Sequence, residues 1–181
     1  MSQDRIIFIP GILTSPELQK FQWGRSAQEM FPERDIVIIE KTYLYPQHEV
    51  LESICEEVIT LLEDGIPTVL LGHSFGGILA TAVYWRTREN NRVDITKLVT
   101  VVTPHSFNAP GLEEARQAVG YEYKKATDTP VYTFGAKIDH VVPRKYTTYP
   151  DSEHVDIRGT HSGMWLNPRK WRYRHVWNVL R

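Results

Sequence analysis

A doubly wound α/β domain is the fold class that this sequence predicts, and three observations carry the prediction. Six short apolar runs recur along the chain: RIIFI (5–9), DIVII (35–39), TVLLG (68–72), KLVTVV (97–102), PVYTFG (130–135) and EHVDI (153–157). Longer stretches with apolar residues at helical spacing lie between them. Parallel neighbours need a crossover connection, and right-handed crossovers carry helices to both faces of the sheet. The expectation is therefore an α/β fold with about six strands, mostly parallel, and helices on both faces.

The connecting segments carry matching punctuation. SPELQKFQWGRSAQEMF (15–31) opens with Ser15 as an N-cap and Pro16 at the first helical position. HEVLESICEEVITLLEDG (48–65) places Leu51, Cys55, Val58 and Leu62 on one face and closes at Asp64-Gly65. SFGGILATAVYW (74–85) and GLEEARQAVG (111–120) supply two more helices, and NPRKWRYRHVWNVL (167–180) opens at Asn167-Pro168 and ends the chain. No internal repeat, low-complexity tract or linker interrupts this order, so residues 1–181 are expected to form a single domain.

Composition excludes several function classes. Apolar residues make up 41% and charged residues 24%, which is ordinary globular usage and argues against a disordered or fibrous chain. A net charge of -1 gives no global field to gather nucleic acid. MSQDRIIFIPG carries an acid and too short an apolar stretch for a signal peptide, and nowhere do the roughly eighteen apolar residues of a membrane span occur in succession. A cytoplasmic location is the expectation. Cys55 is the single cysteine, so there is no disulfide framework, and its helical face marks it as core. The histidines are scattered and form no H-x-x-x-H or H-E-x-x-H pair, so neither a metal nor another cofactor is expected.

The informative stretch is LLGHSFGGILA (70–80), where a strand pattern gives way to a helix pattern at Gly72-His73-Ser74-Phe75-Gly76. This is G-x-S-x-G, whose small flanking residues permit a sharp turn that exposes the serine hydroxyl. A serine becomes a useful nucleophile only when a base takes its proton and an acid orients that base. In open parallel sheets, sites form beyond the carboxyl ends of strands. Asp139 follows the PVYTFG strand in AKIDHVVP, and His161 follows the EHVDI strand in RGTHSGMW. Asp128 lies at the wrong end of its strand, while Asp151, Glu153 and Asp156 lie before or within the next one. His73 reads as structural, His105 as a turn or pocket-wall residue and His140 as solvent-facing. The glycines of GHSFGG lack the Lys-Ser/Thr of a phosphate loop.

With the order Ser74, Asp139, His161, the chain resembles the α/β-hydrolase family, and within it the small lipase-like and esterase-like members. GHSFGG, GAKIDHVVP and GTHSGMW look like the nucleophile, acid and histidine segments of that family, and VVTPHSF (101–107) looks like its Thr-Pro-His turn. The resemblance covers residues 5 to 181. It implies an α/β-hydrolase fold in which Ser74 attacks an acyl carbon, His161 acts as base and then acid, and Asp139 orients His161. It also implies an oxyanion hole built from backbone N–H groups. The Phe75 N–H supplies one donor, and the loop FIPGILTSP supplies the other from Ile12, with Leu13 as fallback. Here Pro10 stands where the family often has histidine before Gly11.

Side chains near the strand ends, among them Leu13, Trp23, Tyr43, Tyr45, Phe107 and Trp165, are aromatic or aliphatic and suit an ester with an apolar portion. Little lid is expected, because much of 104–128 is needed for one helix. The expected activity is carboxylic ester hydrolysis through an acyl-enzyme on Ser74. The alternatives are a thioesterase or acyltransferase using the same triad, or a non-catalytic binding protein that keeps the fold. The expected partner is a small ester, with no nucleic acid. RKWRYRHVWNVLR mixes basic and aromatic residues, but Tyr173, Val176, Trp177 and Leu180 share one face, so it reads as a helix packed on the sheet. Contact with a membrane surface is its minor alternative.

Overall fold

A computed structural model of the chain describes residues 4–12, 23–41, 47–125, 129–163 and 173–181. Its strands are β1 (Arg5–Ile9), β2 (Asp35–Ile38), β3 (Thr68–His73), β4 (Ile95–Val101), β5 (Val131–Ala136) and β6 (Glu153–Ile157). The helices are α1 (Arg25–Met30), α2 (His48–Leu62), α3 (Phe75–Thr87), α4 (Leu112–Ala118) and α5 (Arg174–Leu180). One sheet contains all six strands in the order β2-β1-β3-β4-β5-β6. Every adjacent pair is parallel, so the expectation of a mostly parallel sheet becomes an all-parallel one.

Strand alternation sorts the core into two layers. Ile7, Ile9, Leu70 and Leu98 point to one face, where α2, α3 and α4 pack through residues including Leu51, Cys55, Val83 and Ala115. Ile6, Phe8, Val69, Leu71, Val99 and Phe134 point to the other, where α1 and α5 supply Ala27, Val176, Trp177 and Leu180. Because successive strand side chains face opposite sides, strands buried on both faces read as near-continuous apolar runs, as Ile6–Ile9 and Val69–Leu71 do.

Helix α3 is the central one. Twelve of its thirteen residues are buried, leaving only Arg86 outside that set. A helix apolar all round belongs inside the protein rather than on its surface. By contrast, α2 buries Leu51, Ile54, Cys55, Val58 and Leu62, leaves Glu49 and Glu56 exposed, and pairs Glu52 with Arg86 of α3. At the amino ends of the strands, the buried Arg5 guanidinium pairs with Asp35 and Asp64 and donates to the Leu61 carbonyl, tying β1 to the end of α2. The opposite, carboxyl, ends remain for the site.

The capping positions Ser15-Pro16 and Asn167-Pro168 lie outside the described residues, as do Leu13, Tyr43, Tyr45, Asp128 and Trp165. No helix among the described residues is long and apolar enough to cross a membrane.

Candidate active site

The strand order reverses direction between β1 and β3: the chain passes from β1 outward to β2, then returns so that β3 and its successors build the other way. The crevice at such a switch point is where doubly wound sheets place their ligands. Gly11 follows β1 there, and Ser74 follows β3.

Ser74 sits between the last residue of β3 and the first of α3 with φ 52° and ψ -126°, a conformation that side-chain-bearing residues rarely adopt. Such strain persists only when the surroundings over-determine it. Here the Ser74 N–H donates to the Val101 carbonyl at 2.9 Å, and its own carbonyl accepts from the Gly77 N–H at 3.0 Å. The turn also brings backbones too close for side chains. A Cβ on Gly76 would lie 2.1 Å from the Ile9 carbonyl oxygen, and one on Gly72 would lie 2.4 Å from the Gly77 Cα. The glycines of the motif are thus a condition for packing α3 against β1 and β3.

The two partners read from the sequence converge on this serine. His161 Nε2 lies 2.9 Å from Ser74 Oγ, and His161 Nδ1 lies 2.9 Å from Asp139 Oδ2. An ionised carboxylate can only accept, so Nδ1 carries the proton and Nε2 is left as the acceptor facing the hydroxyl. The Asp139 side chain is fully buried and that of His161 is 14% exposed. The second Asp139 oxygen, Oδ1, accepts from the backbone N–H groups of Val141 and Val142, each at 2.8 Å. Burial alone would raise the Asp139 carboxyl, but the His161 hydrogen bond and these two N–H groups outweigh it and hold the group below its ordinary value.

Phe75 is buried at the first position of α3, where the helix dipole favours negative charge. Ile12, half-buried, packs against the α2–α4 layer. A Cβ on Gly11 would come within 2.9 Å of the Ser74 Cβ, so the Pro10–Ile12 loop lies directly against the serine. Phe107 is half-buried with its ring 4.9 Å from that of Tyr146. Trp23 corrects an expectation. It is fully buried, tilted against Phe8 at 4.5 Å and stacked on Trp177 at 5.8 Å, so it is core beneath α1 rather than pocket wall. Leu13 and Trp165 lie outside the described residues.

The other histidines and acids sort cleanly. His105 is buried between the Thr100 hydroxyl at 2.8 Å and the Tyr121 hydroxyl at 2.9 Å, and burial together with Arg116 pushes it down to about 3. His140 is exposed. Asp156 pairs with Arg144 and Asp151 with Lys125, so neither serves the histidine. Among the described residues, no group of three or more His, Cys, Asp or Glu side chains is placed to hold a metal ion.

Four residues lie outside the sequence reading. The N–H groups of Val141 and Val142 form a local turn around Asp139, a habit of aspartate at loop starts that could have signalled them. Gly77 faces Thr103, whose Oγ1 would be 1.9 Å from a Cβ there; the doubled glycine was its signal. Val102, with φ 48°, has no local signal, since nothing in VVTPH asks for a left-handed valine.

No family model and no curated protein matches the chain. Solved structures do. The RedJ thioesterase of the prodiginine biosynthetic pathway in Streptomyces coelicolor matches with TM-score 0.63 at 16% identity, over 97% of this chain and 88% of that one. A metagenome-derived structure from work on the lipolytic enzymes LipS and LipT matches with TM-score 0.69 at 11% identity, over 99% and 94%. An extracellular α/β-hydrolase from a Paenibacillus species matches with TM-score 0.64 at 14% identity, over 98% of each chain. The chain has the α/β-hydrolase fold.

Proposed function

We propose that this protein is a serine hydrolase that cleaves a carboxylic ester through an acyl-enzyme on Ser74. One observation carries the reading: a serine in strained backbone geometry hydrogen-bonds a histidine whose other nitrogen meets a buried carboxylate, both contacts at 2.9 Å. Such a line lets His161 take the Ser74 proton as Oγ attacks the acyl carbon. The tetrahedral intermediate places its oxyanion toward the N–H groups of Phe75 and Ile12. Its collapse breaks the ester C–O bond, and His161 returns the proton to the departing alcohol. Water then repeats the sequence, its proton passing through His161, to release the acid and restore Ser74.

The reaction needs no cofactor, and residues 1–181 act as one domain. Phe107 beside Tyr146 offers an apolar wall to the substrate. Thioester cleavage would follow the same steps with a thiol leaving group, and the likeness to the RedJ thioesterase keeps that reading beside the first. Hydrolysis of matched p-nitrophenyl and thiol esters by the wild type and Ser74→Ala tests both. Turnover of either ester that vanishes in the variant supports the mechanism, and equal turnover by the variant refutes it.

A further inference from the structure

His73, the residue before the serine, is not used by the proposed chemistry, yet it touches the backbone of the proposed base and the loop after β1. Strand alternation puts it on the same side of β3 as Val69 and Leu71, the face that packs against α1 and α5. Its side chain is buried, with the residue 3% exposed. Nε2 donates to the backbone carbonyl of His161 at 2.9 Å, across 88 residues of sequence. The two imidazole rings lie 5.1 Å apart. A Cβ on Gly11 would reach 3.2 Å from His73 Nδ1, so the loop after β1 packs on the same ring.

We infer that His73 is a positioning residue that holds the His161 backbone, and thereby sets the reach of the His161 ring to Ser74. The inference rests on the hydrolase reading and deepens it. His161 lies in the loop after β6, outside the strands and helices given above. A flexible hydroxyl or amine could follow that loop as it moves. A buried imidazole cannot, because its ring is wedged between two loops and continuous with the strand that carries the nucleophile. Burial, and after it the neighbouring His161, keep His73 neutral, so Nε2 is a donor of fixed direction and adds no positive charge beside the base. A misplacement of a reacting group by about 1 Å can cost on the order of a hundredfold in rate.

The test compares His73→Leu, His73→Gln and His73→Asn with the wild type. The Gln amide can reach the position of Nε2; the shorter Asn amide falls at that of Nδ1. Two quantities are measured on each: the second-order rate of serine labelling by a fluorophosphonate between pH 5 and 9, and the low-field NMR signal of the His161 Nδ1 proton shared with Asp139. The expected result is labelling slowed about a hundredfold in His73→Leu, with the low-field signal broadened or lost and both properties largely recovered in His73→Gln but not in His73→Asn. If His73→Leu does not fold, the Gln and Asn pair decides. Labelling and signal alike in all variants, or equal in Gln and Asn, overturns the inference. Absence of labelling in the wild type contradicts the hydrolase reading instead, and the proton signal then judges the role of His73 alone.

Discussion

Ser74 and His161 stand 87 positions apart in the sequence, yet His161 Nε2 and Ser74 Oγ meet at 2.9 Å at the carboxyl ends of the strands. Neither residue is placed by its own segment alone. The serine is held at the end of β3 by backbone hydrogen bonds to Val101 and Gly77, and the histidine by its carboxylate on one side and its backbone carbonyl on the other.

Asp139→Asn keeps the shape of the acid but offers His161 a neutral amide. The variant should fold normally and lose at least about a thousandfold in ester turnover, because the histidine is no longer held with Nε2 as acceptor or stabilised when charged. Steady-state kinetics beside a circular dichroism spectrum would check this. A loss of less than tenfold would remove Asp139 from the mechanism.

Gly76→Ala should fail structurally before it fails chemically. The added methyl would meet the Ile9 carbonyl oxygen at 2.1 Å, and backbone cannot step aside as a side chain can. A urea midpoint well below that of the wild type, or recovery only in insoluble form, is the expected outcome. A midpoint within experimental error of the wild type would mean that α3 can move off β1.

Acid should destabilise the fold earlier than carboxylate titration explains. His73 and His105 are both depressed in the folded state, chiefly by burial, His105 to about 3. A depressed histidine contributes its full share of stability above the unfolded value near 6.5, and that share is lost as pH falls below it, since the unfolded chain then binds the proton and the native state does not. Each buried histidine removes up to about 1.4 kcal/mol per pH unit over that window. Urea midpoints at pH 7.5, 6.0 and 5.0 should fall steadily; a flat series would show that both rings can protonate in place.

Trp23→Ala should cost stability, about 3–5 kcal/mol for a large buried aromatic. Any protein that still folds should keep its KM for a short ester, because the ring packs on Phe8 and Trp177 rather than lining the crevice. A selective rise in KM with unchanged stability would restore Trp23 to the substrate pocket.

What could be read from the sequence follows from what is local. β1 coincides with RIIFI and β6 with EHVDI, and every other predicted strand overlaps an observed one, because each pairs a short apolar or β-branched stretch with flanking turn residues. Ser74, Asp139 and His161 were legible because each follows a recognisable strand, and strand ends converge in a parallel sheet. Trp23 departs from its expected place because an aromatic near the sheet's end looks the same from sequence whether it faces a substrate or the neighbouring helix. The pairing of Trp23 with Trp177 and of His73 with the His161 carbonyl depends on which loops cross which face, and no period or cap encodes that.

The central claim is that Ser74 is an activated nucleophile. Intact-mass analysis after incubation with a fluorophosphonate, on the wild type and on Ser74→Ala, tests it most directly. The account predicts a single adduct on the wild type that is missing from the variant. A folded wild type that takes no adduct, or a variant that takes the same one, would contradict it.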